Sequence, residues 1–111
     1  MVFAVRVLAM VEALPKCQAA RIVTNQASRS STSVASNYRA ANRAKSRKDF
    51  AYKLNVCLEE ADETAFWIEL AMRTKLLSPA RLQPLHQEAV ELTRIFNAAL
   101  TTTKQSPNRN S

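Results

Sequence analysis

The sequence predicts an all-α fold: an antiparallel up-down-up-down four-helix bundle with a short first helix. Three observations carry this. The chain contains no glycine in 111 residues, where average usage of about 7% would supply roughly eight. Glycine is the default residue for the left-handed positions of hairpin turns and bulges, so a β-rich chain without it would strain many turns. Apolar residues recur at steps of three and four along four successive segments, the period of a helix with one buried face. The length, finally, suffices for one core and not for two.

Helix 1 is expected over about 2–14, with Phe3, Val7, Val11 and Leu14 on one face and Pro15 as the stop. Helix 2 is expected over about 18–43. Its stripe is Val23, Ala27, Ser30, Val34, Asn37 and Ala41, small side chains that let a neighbouring helix come close. Helix 3 is expected over about 46–74, opened by Ser46 as N-cap with Asp49 three residues on. Phe50, Leu54, Cys57, Ala61, Thr64, Ile68 and Ala71 form the clearest seam in the chain, while Glu59, Glu60, Asp62, Glu63 and Glu69 occupy flanking faces. Helix 4 is expected over about 79–101, starting at Ser78-Pro79 and continuing through Leu85, Ala89, Leu92, Phe96 and Ala99. Pro84 predicts a kink there or a later start. Residues 1–103 are thus read as one bundle and 104–111 as a polar, disordered tail.

Helices 2, 3 and 4 would each reach about 33–42 Å and helix 1 about half of that. One end of the other three is then uncovered. Residues preceding Met1 are the favoured explanation, and another subunit over the gap is the alternative.

Net charge is +7, from sixteen basic and nine acidic residues, and it is unevenly distributed. Residues 1–53 hold ten basic groups and two acidic ones, a net +8, which leaves −1 for residues 54–111. Such a bias suits a polyanionic partner. Cys17 and Cys57 lack the clustered ligands of a tetrahedral metal site, and Cys57 lies on the helix 3 seam as a small hydrophobe. The apolar start is interrupted by Arg6 and Glu12 and has no basic segment before it, unlike a signal peptide. No apolar run approaches the roughly 18 residues of a membrane span. A cytoplasmic protein is expected.

Catalysis has little support. His86 is the only histidine, and the position three before it is Gln83, so the Glu-x-x-His pairs of metal-binding bundles are absent. The carboxylates of helix 3 have the spacing of a solvated face. With no glycine there is no glycine-rich phosphate loop. The chain is expected not to be an enzyme, and to need no cofactor.

The run Gln26, Arg29-Ser30, Ser33-Val34, Asn37-Tyr38-Arg39, followed by Ser46-Arg47, Asp49-Phe50 and Lys53-Leu54, continues into Glu59-Glu60-Ala61-Asp62-Glu63-Thr64 and Trp67-Ile68-Glu69-Leu70. These residues resemble the bacterial four-helix bundle proteins, a family first noticed in reading frames inside intervening sequences of large-subunit ribosomal RNA genes. They are similar also to the accessory variability determinant of diversity-generating retroelements. The resemblance covers about Phe3 to Lys104. It implies a homopentameric barrel with a central channel and, for the retroelement relatives, a basic surface that engages nucleic acid and a reverse transcriptase. Ala35 stands where the family often has glycine. Ala40 stands where it often has Glu, which makes the neighbourhood of Arg39 more basic.

The candidate site is the turn between helices 2 and 3, where Arg39, Arg43, Lys45, Arg47, Lys48 and Lys53 are opposed only by Asp49. Cations at the end of helix 2 suit its dipole. Arg47 and Lys48, in the first turn of helix 3, oppose theirs by a few tenths of a kcal/mol each, roughly. That placement makes sense if an anion binds there, helped by free backbone N–H groups. In the predicted topology Lys104 and Arg109 join the cluster, and five copies would repeat it in a ring. Tyr38 and Tyr52 lie nearby; both are expected to pack between helices, although their rings could stack on bases. The leading expectation is electrostatic nucleic-acid binding by an oligomeric accessory protein. The alternative is an assembly or adaptor protein whose ligand is another protein, for example a reverse transcriptase.

Overall fold

A computed structural model describes residues 1–105 of the chain. They form four helices: α1 (Val2–Ala13), α2 (Gln18–Ala41), α3 (Arg47–Arg73) and α4 (Pro79–Gln105). No strand occurs among the described residues. The helices pack into a rod of 51 × 19 × 19 Å. Each packs on its neighbour in sequence, and α1 closes the ring against α4. Contacts between α2 and α3 run in reversed order, Ser30 meeting Thr64 and Val34 meeting Cys57.

The seams predict the core well. Val23, Ala27, Ser30 and Val34 of α2, and Leu54, Cys57, Ala61, Thr64, Ile68 and Ala71 of α3, are all buried. Leu85, Ala89 and Phe96 of α4 are buried as well. Phe3, Val7, Met10 and Leu14 hold α1 in place, and burial of each larger side chain stabilises by about 1.5–3 kcal/mol. Arg6 adds an ion pair to Glu88 of α4.

The core has two tiers. One, built from all four helices, runs from Phe3 and Val23 to Ile68 and Leu85. The other holds Val34, Ala41, Leu54, Cys57, Ala61, Phe96 and Leu100, from α2, α3 and α4 alone. α1, with 12 residues against 24 in α2, thus covers half of the bundle, as its length requires. Between the tiers lies a buried polar layer of Ser30, Ser31 and Thr64.

The connections show how a glycine-free chain turns. Leu14 is extended ahead of Pro15, as the proline ring demands of its predecessor. α2 ends at Ala41, two residues before the expected 43. Its winding is carried on by tighter bonds, Arg43 N–H to the Ala40 carbonyl and Ala44 N–H to that of Ala41. Ser46 caps α3 as expected, its Oγ accepting from the Asp49 N–H at 3.0 Å. After α3, Lys75 takes the left-handed conformation at φ 58°. Leu76 N–H reaches the Ala71 carbonyl and Lys75 N–H that of Met72, the paired bonds of a Schellman ending.

α4 begins at Pro79 as expected, where Ser78 Oγ accepts from the Arg81 N–H at 3.2 Å, and it continues through Pro84, so the later start does not occur. It also runs to Gln105, beyond the expected 101. Residues 104 and 105, assigned to the tail from the sequence, are helical. Within this polar segment Thr103 Oγ1 donates back to the Ala99 carbonyl at 2.8 Å. The rest of the expected tail, 106–111, lies outside the described residues.

Candidate nucleic-acid interface

The end of α2, the turn after it and the start of α3 make a surface with one dominant sign of charge. Arg39, Arg43, Lys45 and Lys53 line one open depression, with Asp49 the single acid among them. α2 brings Arg39 in its last turn. Arg43 and Lys45 stand exposed on the turn, and Lys53 reaches in from the second turn of α3. Lys53 Nζ lies 4.0 Å from Asp49 Oδ1, one helical turn away. This pair is solvated at both ends, so it offsets little of the local charge. Asp49 also occupies the first turn of α3, where a carboxylate complements the helix dipole.

The other two predicted cations lie apart. Arg47, partly buried, lines a neighbouring depression with Asn42, Ser46, Phe50, Thr102 and Thr103. The end of α4 therefore does approach the turn, and Lys104 follows directly on Thr103. Lys48 is exposed and lines neither depression. Arg109, also expected to contribute, lies outside the described residues.

Tyr52 is not packed between helices as expected, and Tyr38 is so only in part. Tyr52 is 64% exposed, with Lys53 Nζ 5.7 Å from its ring centroid. Tyr38 is 48% exposed and leans on Phe96, ring centroids 5.9 Å apart. The exposure of Tyr52 is readable from the seam, because position 52 falls two residues after Phe50 and two before Leu54. At about 100° per residue it points away from the core.

Part of the acidic stretch of α3 is paired with cations, and the stretch stays net acidic. Arg29 of α2 donates to Glu60 at 2.9 Å and also to Glu63. Glu63 in turn accepts from the Trp67 indole N–H at 3.2 Å. The hydrogen bond to Glu63, with that to Glu60, raises the Arg29 pKa above its ordinary value. Arg73 is bonded to Glu69 at 2.9 Å. Further along, His86 Nε2 lies 4.0 Å from Glu69 Oε1. Among the described residues no group of three His, Cys, Asp or Glu could hold a metal ion, and no helix is long and apolar enough to cross a membrane.

A second feature is an apolar groove where α1 begins. Met1, Ala35, Tyr38, Leu92, Ile95 and Phe96 line it.

The fold and the site together define an all-α, four-helix bundle protein whose most concentrated surface feature is a cationic inter-helical corner. Residues 1–98 match the family of 23S rRNA-intervening sequence proteins, and the chain belongs to that family. A crystal structure from Bacteroides thetaiotaomicron VPI-5482, of a protein with unknown function from the S23 ribosomal protein family, is similar throughout. It superposes with a TM-score of 0.80 at 32% identity, covering 88% of this chain and 91% of the other. No curated protein sequence matches the chain.

Proposed function

We propose that this protein is a non-enzymatic accessory protein of the cytoplasm that binds nucleic acid electrostatically through the α2–α3 corner. The observation that supports this reading is the convergence of Arg39, Arg43, Lys45 and Lys53 on one depression with a single acid. Arg47 and Lys48 extend the same charge around the start of α3, against the helix dipole. Phosphate contacts of this kind release counterions, and each lowers the slope of log K against log salt by roughly 0.7–0.9.

The bundle is proposed to run up-down-up-down, which the reversed α2–α3 contacts support. It is proposed to assemble as a homopentamer, which would repeat the corner five times. Light scattering tests this directly, with a mass five times the 12.4 kDa of one chain expected.

Gel shifts at rising salt test the binding. Affinity should fall steeply with salt and collapse when Arg39, Arg43, Arg47 and Lys48 are replaced by Glu. Affinity indifferent to both would overturn the reading. The apolar groove beside Met1 favours a second reading, in which the main ligand is another protein, for example a reverse transcriptase. A stoichiometric protein complex with weak binding to free nucleic acid would decide for it.

A further inference from the structure

We propose that Tyr52 makes the cationic corner a reader of single-stranded nucleic acid, its ring stacking on one unpaired base while the surrounding cations hold the flanking phosphates. The inference rests on the proposed function and deepens it by naming the form of nucleic acid.

Three large aromatic side chains are well exposed on α2 and α3, and only one is placed for this. Phe66 meets Trp67 edge-on with centroids 4.9 Å apart, and it stands in the acidic stretch between Asp62 and Glu69. A polyanion would be repelled there. Tyr38 is half covered by its contact with Phe96 and borders the apolar groove. Tyr52 keeps 64% of its surface in water, and its hydroxyl has no hydrogen-bond partner among the described residues. Its one ring contact among the described residues is the Lys53 ammonium at 5.7 Å, and Lys53 is also a wall of the cationic depression.

Geometry places cations on both sides of the ring. Lys48, exposed, sits one helical turn before Tyr52 on the same face of α3. Lys53 lies on the other side and leads to Lys45, Arg43 and Arg39. An aromatic platform bordered by phosphate-binding cations is the arrangement by which single strands are held without regard to sequence. A duplex hides its base faces by stacking them on one another, so it can use the cations and not the ring. Tyr52 therefore adds affinity for single strands alone.

Fluorescence anisotropy with labelled oligothymidylate and oligouridylate of about 12 nucleotides, and with DNA and RNA duplexes of matching length, tests this. The full chain binds at least one of the single strands more tightly than its duplex, and the strand preferred identifies DNA or RNA as the source. Tyr52→Ala weakens that single-strand binding about tenfold and leaves duplex binding and the salt slope unchanged. Tyr52→Phe and Tyr52→Trp retain it. Tyr52 lies off the core, so circular dichroism of each variant should match the parent. Equal binding of single strand and duplex, or a Tyr52→Ala variant with undiminished single-strand affinity, overturns the inference while salt-dependent binding upholds the cationic corner. Absence of salt-dependent binding to every probe overturns both.

Discussion

Ser30 Oγ and Thr64 Oγ1 lie 2.7 Å apart at the centre of the bundle, each fully buried, and join α2 to α3 where the two apolar tiers meet. Thr64 also donates back to the Glu60 carbonyl at 2.7 Å, whereas Ser30 has otherwise only a 3.5 Å approach to the Ala27 carbonyl. Thr64→Val should therefore leave Ser30 poorly satisfied and cost about 1–3 kcal/mol. Adding Ser30→Ala should recover part of that loss. Urea unfolding of the two single variants and the double variant measures the coupling, and strictly additive losses would contradict it.

Arg29 ties Glu60 and Glu63 to α2, yet its side chain is 49% exposed. Solvent screening limits such a pair, so Arg29→Ala should cost less than about 1 kcal/mol. The loss should shrink further at high salt. The Trp67 indole is bonded to Glu63, so its fluorescence gives a local readout of the same substitution. A loss that is undiminished at high salt would point to packing by the arginine stem instead.

Lys75 holds the left-handed position that closes α3. A side chain with a Cβ carries a penalty of about 1–2 kcal/mol there. Lys75→Gly removes it while adding freedom to the unfolded chain. The net expectation is a gain of about 0.5–1 kcal/mol, seen as a raised Tm. The same change at Lys16, on an exposed turn without such a constraint, should bring no gain.

The Cys57 thiol is fully buried and lies 3.7 Å from the Val34 carbonyl, to which it donates. Burial pushes its pKa up from 9.0 to about 11. The unfolded thiol ionises first, so the stabilisation from keeping it neutral is complete below pH 9.0 and is lost as pH rises toward about 11. Denaturant midpoints should fall across that interval, and Cys57→Ala should remove this part of the slope. Cys17, exposed at the head of α2, should react with a thiol reagent in the native protein while Cys57 reacts only on unfolding.

The seams were legible because a 3.5-residue period over Leu54, Cys57, Ala61, Thr64 and Ile68 has few structural alternatives. The α3 cap was legible for a similar reason, Ser46 and Asp49 standing at capping distance. Lys75 was not, since a left-handed ending is normally marked by glycine and this chain has none. Nor was the length of α4, which runs on to Gln105 through the polar residues that follow Leu100. At the site, proximity in sequence correctly joined Arg39, Arg43, Lys45 and Lys53. It could not separate them from Arg47, which angles toward α4, or from Lys48, which lies outside both depressions. The exposure of Tyr52 follows from its angle to the seam, whereas the half-burial of Tyr38 depends on Phe96, a residue of α4 distant in sequence.

The ring order of the bundle also has a kinetic consequence. Three of its four packed helix pairs are consecutive in the chain, and the remaining pair, α1 with α4, is the most lightly joined. A fold dominated by such local pairings has low contact order and reaches its native state in microseconds to milliseconds, roughly. Its nucleus should form where α2 and α3 zip together, with α1 docking late. Substitutions at Ala27 or Ala61 should accordingly slow folding, while Val7→Ala should mainly speed unfolding, and φ-values from stopped-flow kinetics would separate the two classes.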